Sequence, residues 1–364
     1  MNMVLILYVE SGTGSLTLAK NVQHILNSQG IDNKIISLHE LLPVWLNRFL
    51  FGYYESWCVQ DKNYFSSIFK MQWFYPALYK LLPIIMYCKG MGHRTQVPHQ
   101  FKYANAIVNC SFFCGWFSRY WINKAGRDIP LYGVLGDYTV SPGWQLKVDR
   151  LFVPFDFQSQ IFKAIRRKGG KITASGIPAH LNQVSSAGEK GCVMLGGGGW
   201  GLQISARTIE RLLTHPLLTR LIVLCGKNNE LYDDLSSRFH SEINHQRLEV
   251  RAYTEEMPDI YARASIVATK SGGLTLTEAA LSGKPIIITG YLPGHEEDNM
   301  RVFLKNNAAI YAENDKALLN AIHTLLTDDS KAIELKSNAA KLVNDQAGHF
   351  ICKIIKKDLI HVET

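Results

Sequence analysis

The sequence predicts an α/β protein with two doubly wound parallel sheets. Short apolar runs of strand length alternate with helical patterns, glycine-rich turns follow several of these runs, and 364 residues exceed the usual length of one compact domain. Because strands that alternate with helices are joined by crossovers, they form parallel sheets with helices on both faces.

The first series of elements begins with an apolar strand at residues 3–9. It is followed by the turn Glu10-Ser-Gly-Thr-Gly-Ser15 and by a helical pattern at residues 16–26. Further buried strands are predicted at residues 33–37, 106–112, 131–136, 150–153 and 171–174. A stretch rich in Ser, Gly and polar residues at 182–191 then indicates an interdomain linker.

A second series of the same kind follows the linker. Its strands are predicted at residues 192–195, 220–225, 247–251, 265–269, 285–289 and 308–311. Open parallel sheets bind ligands beyond the carboxyl ends of their strands. We therefore expect the glycine-rich turns of both sheets to face a cleft between two domains.

Composition and charge limit the possible partners. The formal charge of +8 and the pI near 9.0 favour an anionic partner, such as nucleic acid, a membrane surface or a phosphorylated small molecule. The densest basic clusters are short, so no nucleic acid partner is expected. The seven cysteines lack CxxC pairs and metal-ligand spacing, which indicates reduced core residues and no metal site.

The sequence pattern predicts neither a signal peptide nor a membrane-spanning helix. The start has no basic leader before its apolar run, and no uncharged apolar stretch reaches the ~18 residues of a membrane helix. A cytoplasmic location is expected.

The most informative run is Thr269-Lys-Ser-Gly-Gly-Leu-Thr-Leu-Thr-Glu-Ala-Ala-Leu-Ser-Gly-Lys-Pro285, where a strand passes into a helix. Its two glycines allow close backbone approach, Thr275 or Thr277 is expected to cap the helix, and the N–H groups of the first turn suit a diphosphate. Glu278, one helical turn later, suits both hydroxyls of a ribose. The alternative is an ordinary helix start with a capping-box glutamate.

A second polar run follows the next predicted strand and is expected beside the first. It reads Gly290-Tyr-Leu-Pro-Gly-His-Glu-Glu-Asp-Asn299 and groups three acids with a His and an Asn. Such side chains suit sugar hydroxyls, which need paired donors and acceptors. The alternative is a solvated acidic turn.

Together these two runs resemble the processive diacylglycerol glucosyltransferases and monogalactosyldiacylglycerol synthases, relatives of the GlcNAc transferase of lipid II synthesis. The resemblance extends to Gly136-Asp-Tyr-Thr-Val-Ser-Pro-Gly-Trp144, Ser175-Gly-Ile-Pro178, residues 196–201 and Cys225-Gly-Lys-Asn228. It implies the GT-B fold, a UDP-sugar as co-substrate and no bound cofactor or metal. It also implies an acceptor and membrane-binding domain at 1–180, a UDP-sugar-binding domain at 181–345, and a last helix at 346–364 packing back on the first domain.

The family pattern also implies a set of donor contacts at matching positions. They fall on Gly14, Gly198, Gly199, Tyr253, Thr254, Met257, Ser271, Gly272, Gly273, Leu274, Thr275, Glu278, His295, Glu296, Glu297 and Asn299. Residues 272–275 would contact the diphosphate and Glu278 the ribose. Residues 253–257 would border the uracil, and residues 295–299 would surround the hexose.

The sequence departs from the family on the acceptor side. Ser15 stands where relatives usually have the His of a GxGH loop, and Ser141 lies in the middle motif where a second His is usual. A serine is a poor general base, which leaves Asp137 as the candidate and Glu10 as a weaker one. The alternative for Asp137 is an ordinary turn or helix-cap residue. If neither carboxylate reaches the acceptor, a catalytically weak or partner-dependent homologue is expected.

Aromatic residues concentrate in the first domain. Residues 41–80 hold 13 of the 39 Trp, Tyr and Phe, interleaved with basic residues. Amphipathic aromatics with basic neighbours favour an interface with anionic lipids, although some of them must pack the core. The membrane or acceptor candidates are Trp45, Trp57, Trp73 and Trp144.

The leading hypothesis is an inverting glycosyltransferase that moves a hexose from a UDP-sugar to a lipid acceptor such as diacylglycerol, peripherally on the inner face of the cell membrane. Three alternatives stay open. They are a transferase for a polyprenyl-linked or secondary-metabolite acceptor, a non-catalytic nucleotide-sugar-binding subunit, and a UDP-sugar epimerase.

Overall fold

A computed structural model describes residues 3–10, 12–52, 74–86, 97–146, 148–181 and 188–361. The chain divides into two compact units. The first comprises Met1–Pro178, Pro293–His295 and Asp345–Thr364, and the second comprises Ala179–Leu292 and Glu296–Asn344. Each unit is built around its own parallel sheet, which confirms the predicted fold class.

The sheet of the first unit has the strand order β2-β1-β3-β4-β5-β6, with parallel neighbours throughout. Its strands are β1 (Met3–Tyr8), β2 (Asn33–Ser37), β3 (Ala104–Asn109), β4 (Leu131–Val134), β5 (Arg150–Val153) and β6 (Lys171–Ala174). The order reverses between β1 and β3. The carboxyl ends of these two strands are therefore where a ligand is expected in such a sheet.

Helices of the first unit cover the sheet with their apolar faces. They are α1 (Gly14–Ser28), α2 (Leu38–Leu41), α3 (Val44–Phe51), α4 (Phe74–Met86), α5 (Phe112–Ala125) and α6 (Gln160–Arg167). The core joins β1, β3 and β4 to the aromatic helix α5, whose Trp116, Phe117 and Trp121 are buried. Burial of such large side chains is a main source of stability for the unit.

The second unit repeats this plan with the strand order β12-β11-β10-β7-β8-β9. Its strands are β7 (Cys192–Gly196), β8 (Arg220–Leu224), β9 (Leu248–Arg251), β10 (Ile266–Lys270), β11 (Ile286–Gly290) and β12 (Ile310–Tyr311). The order reverses between β7 and β10, which pair in parallel. The turns after these two strands hold the glycine-rich runs noted in the sequence.

Short helices separate the strands of the second unit. They are α7 (Ala206–Leu213), α8 (Asn229–Arg238), α9 (His240–Asn244), α10 (Met257–Arg263), α11 (Gly273–Leu281), α12 (His295–Lys305), α13 (Asp315–Thr327) and α14 (Asp329–Ala340). Polar caps fix several of their starts. Ser205, Asn228, Asn314 and Asp328 each accept a hydrogen bond from a backbone N–H of the helix that follows.

The last helix, α15 (Ala347–His361), belongs to the first unit. It packs on α1, where a Cβ added at Gly348 would lie 1.8 Å from Cδ1 of Ile25. Tyr132 of β4 donates a hydrogen bond to Oδ2 of Asp358 at 2.8 Å. Glycine at 348 thus lets the side chain of Ile25 pack directly on the helix backbone, and a buried tyrosine fixes the other end of the helix.

Several strand boundaries differ by one or more residues from those expected, and two of the differences have a clear cause. The apolar run at 106–112 divides between β3 and α5, because Ser111 accepts a hydrogen bond from the N–H of Phe113 at 3.3 Å and starts the helix. β4 ends at Val134 rather than 136. Apolar runs that continue into a buried helix look like longer strands in sequence.

Candidate functional site

The turn between β10 and α11 has the backbone geometry of an anion site. Gly272 is the N-cap residue, with φ −64° and ψ 131°, and no side chain caps the helix. The expected threonine cap is wrong. Thr277 instead donates to the carbonyl of Gly273 at 2.8 Å, one turn back along the helix. The first-turn N–H groups therefore keep their donors for a ligand.

Two of the proposed donor residues hold this turn in place. Ser271 is fully buried, and its Oγ donates to the carbonyl of Glu296 at 2.8 Å. Asn299 is also fully buried, and its Nδ2 donates to the carbonyl of Ser271 at 3.1 Å. These bonds join the end of β10 to α12. Both side chains therefore hold the backbone of the turn in place.

A buried ion pair lies beside the same turn. Nζ of Lys270, the last residue of β10, pairs with Oε1 of Glu296. The other carboxylate oxygen accepts a hydrogen bond from the N–H of Leu292 at 2.7 Å. Lys270 stands in the informative run at the end of a predicted strand, but the sequence pattern alone did not predict its ion pair.

The turn after β7 brings backbone close to this lysine. Gly198 and Gly201 have φ of +68° and +61°, which an L-residue adopts at a cost. A Cβ added at Gly198 would lie 2.1 Å from Cε of Lys270. On its other side, the carbonyl of Gly199 accepts a hydrogen bond from the N–H of Lys227 at 2.9 Å. The loop is therefore held between the ends of β8 and β10.

Glu278 lies on α11 and is partly exposed. The hydroxyl of the fully buried Tyr261 donates to its Oε2 at 3.2 Å. Desolvation by burial raises the pKa of Glu278 to about 7, and the bond from Tyr261 partly opposes this shift. The carboxyl group therefore changes charge near neutral pH, which makes its ligand contacts pH-dependent.

The residues proposed to border the uracil lie after β9. The ring of Tyr253 is exposed, with Nζ of Lys227 5.8 Å from its centroid. Thr254 accepts a hydrogen bond from the N–H of Glu256 at 3.1 Å, and Met257 starts α10. An exposed ring beside a cation suits stacking on a base.

The remaining candidate donor residues differ in exposure and in their contacts. In the diphosphate segment, Leu274 is buried and Thr275 is partly exposed. In the segment proposed to surround the hexose, His295 is partly exposed. Glu297 forms an ion pair with Arg301, one turn further along α12. Glu296 and Asn299 are engaged by Lys270 and by the Ser271 carbonyl.

The first unit places different chemistry at its strand ends. Ser15 Oγ accepts a hydrogen bond from the N–H of Val9 at 3.2 Å and lies 3.5 Å from the carbonyl of Cys110, to which it donates. It therefore ties the ends of β1 and β3 together. Gly14 is exposed at the start of α1, and Asp137 is partly exposed after β4.

Glu10 contacts a histidine, His39, that the sequence pattern did not predict as a site residue. The N–H of Glu10 donates to Nδ1 of His39 at 3.3 Å, and burial lowers the pKa of His39 while Glu10 opposes that shift. Because Nδ1 accepts a hydrogen bond, the neutral ring carries its proton on Nε2. The signal for His39 was its place just after β2, which pairs with β1.

The four candidate tryptophans have different positions. Trp144 is 4% exposed, and a Cβ at Gly133 would lie 2.4 Å from its ring, so Trp144 packs the core rather than lying at the surface. Trp45 is partly buried against the same core. Trp57 and Trp73 lie outside the described residues.

Apolar side chains nevertheless reach the surface in this part of the chain. On α3, Val44 is 83% and Phe49 54% exposed. On α4, Leu81 is 51% and Ile84 59% exposed. No helix within the described ranges is long and apolar enough to cross a bilayer. Within the same ranges no three His, Cys, Asp or Glu residues group as metal ligands.

Comparison with known proteins finds a similar domain family for residues 197–351 and similar proteins for nearly the whole chain. Residues 197–351 match the glycosyltransferase family 28 C-terminal domain. The processive diacylglycerol beta-glucosyltransferase of Bacillus mycoides (strain KBAB4) is 26% identical over 98% of this chain and 94% of its own length. That of Bacillus thuringiensis (strain Al Hakam) is 26% identical, over 99% and 94%.

Solved structures share the fold at low identity. Acinetobacter baumannii MurG has a TM-score of 0.60 and 14% identity over 98% of this chain and 100% of its own. Anabaena HepE in complex with UDP-glucose has 0.53 and 13%, over 98% and 100%. A putative UDP-N-acetylglucosamine 2-epimerase from Listeria monocytogenes has 0.55 and 12%, over 98% and 96%. These matches confirm the predicted GT-B fold.

The enzyme class and the resemblance expected from the sequence agree with these findings. Residues 197–351 are similar to the glycosyltransferase family 28 C-terminal domain, and nearly the whole chain is similar to the processive diacylglycerol beta-glucosyltransferases.

Proposed function

We propose that this protein transfers a hexose from a UDP-sugar to the hydroxyl of a lipid such as diacylglycerol, with inversion, at the cytoplasmic face of a membrane. The observation that carries the proposal is the uncapped start of α11 at Gly272, which follows β10 at the reversal point of its sheet. Glu278 stands one turn and a half further along the same helix. The backbone suits a diphosphate and the carboxylate suits a ribose.

The donor is bound mainly by backbone in this proposal. The N–H groups of Gly273, Leu274 and Thr275 lie in the first turn of α11, where a helix favours negative charge. The glycine turn after β7 lets backbone lie directly against the ligand. Tyr253 provides an exposed aromatic face for the base.

Lipid as the acceptor is supported by two facts. The relatives with 26% identity are named for diacylglycerol. Val44, Phe49, Leu81 and Ile84 are exposed apolar side chains on two helices of a chain with a formal charge of +8. Exposed apolar residues and positive charge together favour binding to anionic lipid surfaces.

Asp137 is the proposed general base. In an inverting transfer the acceptor oxygen attacks the anomeric carbon, and a base takes its proton as the nucleoside diphosphate leaves. Ser15 is unsuited to this role because its hydroxyl joins two strand ends. Asp137 is a partly exposed carboxylate after β4, and the exposed Glu10 after β1 is the second candidate.

The test supplies donor and lipid separately. The protein is incubated with UDP-glucose, UDP-galactose or UDP-GlcNAc, with or without diacylglycerol in anionic liposomes, and lipids are analysed by mass spectrometry. We expect a hexosyl lipid only when diacylglycerol is present, and its loss in Glu278→Ala. Conversion of the donor without any lipid would indicate an epimerase instead. No product from any donor, with UDP binding retained, would indicate a binding subunit.

A further inference from the structure

We propose that Lys270, held in place by Glu296, contacts the β-phosphate of the nucleotide-sugar donor and stabilises the negative charge on the departing diphosphate. The inference rests on the proposed transferase function and assigns a further residue to it. It is carried by the position of one ammonium group between two glycine turns.

The position of Lys270 follows from the sheet. β10 and β7 are neighbours at the point where the strand order reverses, and Lys270 ends β10. A Cβ added at Gly198, after β7, would lie 3.1 Å from Nζ of Lys270. A Cβ added at Gly272, after β10, would lie 3.3 Å from the same atom. The ammonium therefore lies directly beside both turns.

Gly272 leaves open the space beside the ammonium group of Lys270. Its φ of −64° is accessible to any residue, so a side chain is not excluded by its torsion angle. A side chain there would occupy the room beside Nζ of Lys270 and Oε1 of Glu296, which lies 3.7 Å from the added Cβ. The missing side chain leaves the ammonium open toward the start of α11.

The ion pair is costly as a purely structural device. The side chains of Lys270 and Glu296 are only 13% and 5% exposed, so both charges are largely removed from water. A well-packed apolar pair at such a place is often as stable as a buried ion pair. The end of β10 is already tied to α12 by the bonds of Ser271 and Asn299.

The lysine retains capacity for another acceptor. An ammonium group has three donors, and Glu296 is the one acceptor that the described residues supply to it. Glu296 is itself fixed, because its second oxygen accepts the N–H of Leu292. Glu296 therefore acts as a positioning residue that aims the ammonium.

The chemical role follows from where charge develops. During transfer the bond between the anomeric carbon and the β-phosphate oxygen breaks, and its electron pair stays on that oxygen. The acceptor oxygen forms the new bond to the anomeric carbon, and its proton passes to the base. A cation fixed at the β-phosphate stabilises the charge of the leaving group more as the bond breaks.

The test compares nucleotides that differ by the β-phosphate. Binding of uridine, UMP and UDP is measured by calorimetry for the unmodified protein, Lys270→Met and the double variant Lys270→Met with Glu296→Gln. The double variant removes both charges and avoids leaving a buried carboxylate unpaired. Lys331→Met breaks an exposed lysine–glutamate pair of the same unit and serves as the matched control.

We expect the double variant to lose about 10- to 100-fold in UDP affinity, the usual value of a hydrogen bond between charged groups, with UMP and uridine affinity unchanged. Lys331→Met should bind all three as the unmodified protein does. A double variant that still prefers UDP over UMP as strongly as the unmodified protein would overturn the inference alone. An unmodified protein that binds neither UDP nor uridine would overturn the proposed function with it.

Discussion

The two sheets of this protein prepare for chemistry in different ways at their carboxyl edges. In the second unit the turns after β7 and β10 present backbone, with Gly198 at φ +68° and an uncapped helix start at Gly272. In the first unit the turn after β1 is closed by Ser15, and titratable side chains stand at the strand ends instead. These side chains are Glu10, His39 and Asp137.

This difference explains why donor binding is easier to recognise from sequence than activation of the acceptor. A backbone site needs glycine at fixed places, because any side chain would occupy the ligand's space or strain the chain. A site built from side chains tolerates change, since another residue can supply the same charge or proton. The proposed donor side therefore keeps the glycine turns of the family it resembles, while Ser15 in the first unit stands where that resemblance led us to expect a histidine.

The largest effect is expected on kcat, when the proposed general base is replaced. Asp137→Asn keeps the size of the side chain and removes its basicity, so kcat should fall about 100- to 10,000-fold while UDP affinity stays the same. Steady-state kinetics with diacylglycerol liposomes and calorimetry with UDP measure the two quantities. This variant separates the two regions, because it removes turnover without touching donor binding.

The control for Asp137→Asn is Asp128→Asn, which changes an exposed acid of the same unit and should leave kcat unaltered. If Asp137→Asn retains full activity and Glu10→Gln loses it, the base is Glu10. Loss of UDP affinity in Asp137→Asn would contradict the proposal that the second unit binds the donor while the first unit provides the base.

A smaller effect is expected from closing the space beside Lys270. Gly198→Ala should lower UDP affinity about tenfold or more, because its Cβ would lie 2.1 Å from Cε of Lys270 and displace a charged contact. Gly283→Ala is the matched control, since Gly283 has φ +65° but nothing within 4 Å of an added Cβ. Both variants should lose about 1–2 kcal/mol of unfolding free energy from backbone strain.

Calorimetry with UDP and chemical denaturation separate these two effects. Equal losses of UDP affinity in both variants would mean that strain alone, and no contact at Lys270, explains the result. Unchanged affinity in both would show that the turn after β7 lies away from the donor.

The pH dependence of donor binding should be about as large as the effect of Gly198→Ala. Glu278 has a pKa of about 7 in the ligand-free protein, and its ionised form accepts hydrogen bonds from both ribose hydroxyls. The ionised fraction falls as pH drops through 7, so UDP affinity should fall about tenfold between pH 8 and pH 6. Glu278→Gln corrects for titration of UDP itself, and an identical pH profile in that variant would refute the prediction.

The fold was predictable from the sequence because its strands and the turns after them are marked by local patterns. Strand-length apolar runs, such as the one that became β10, and the glycine turns behind them are visible without any tertiary information. The boundary of β3 was misplaced because the apolar run continues through Ser111 into α5. Periodicity does not separate a buried strand from the buried helix that follows it.

The candidate site was only partly predictable, for a physical reason. Gly272 and Glu278 were recognisable from their spacing along one helix. The pairing of Lys270 with Glu296 joins the end of β10 to α12, and the contact between Glu10 and His39 joins β1 to the helix after β2. Such contacts depend on tertiary packing. Trp144 was a membrane or acceptor candidate from its motif, and a motif does not show that its ring is buried.

The smallest effect on kcat is expected from Ser15→Ala. This variant tests whether the turn after β1 in the first unit is structural or catalytic. If Ser15 is a tie between strand ends, Ser15→Ala removes its hydrogen bonds with Val9 and Cys110 and should cost about 1 kcal/mol of unfolding free energy, with kcat changed less than about threefold. Chemical denaturation and steady-state kinetics measure both. A variant of unchanged stability whose kcat fell a hundredfold would instead place the hydroxyl in the chemistry. The first unit would then have kept a reacting group at the position of the missing histidine, rather than moving the proton transfer to Asp137.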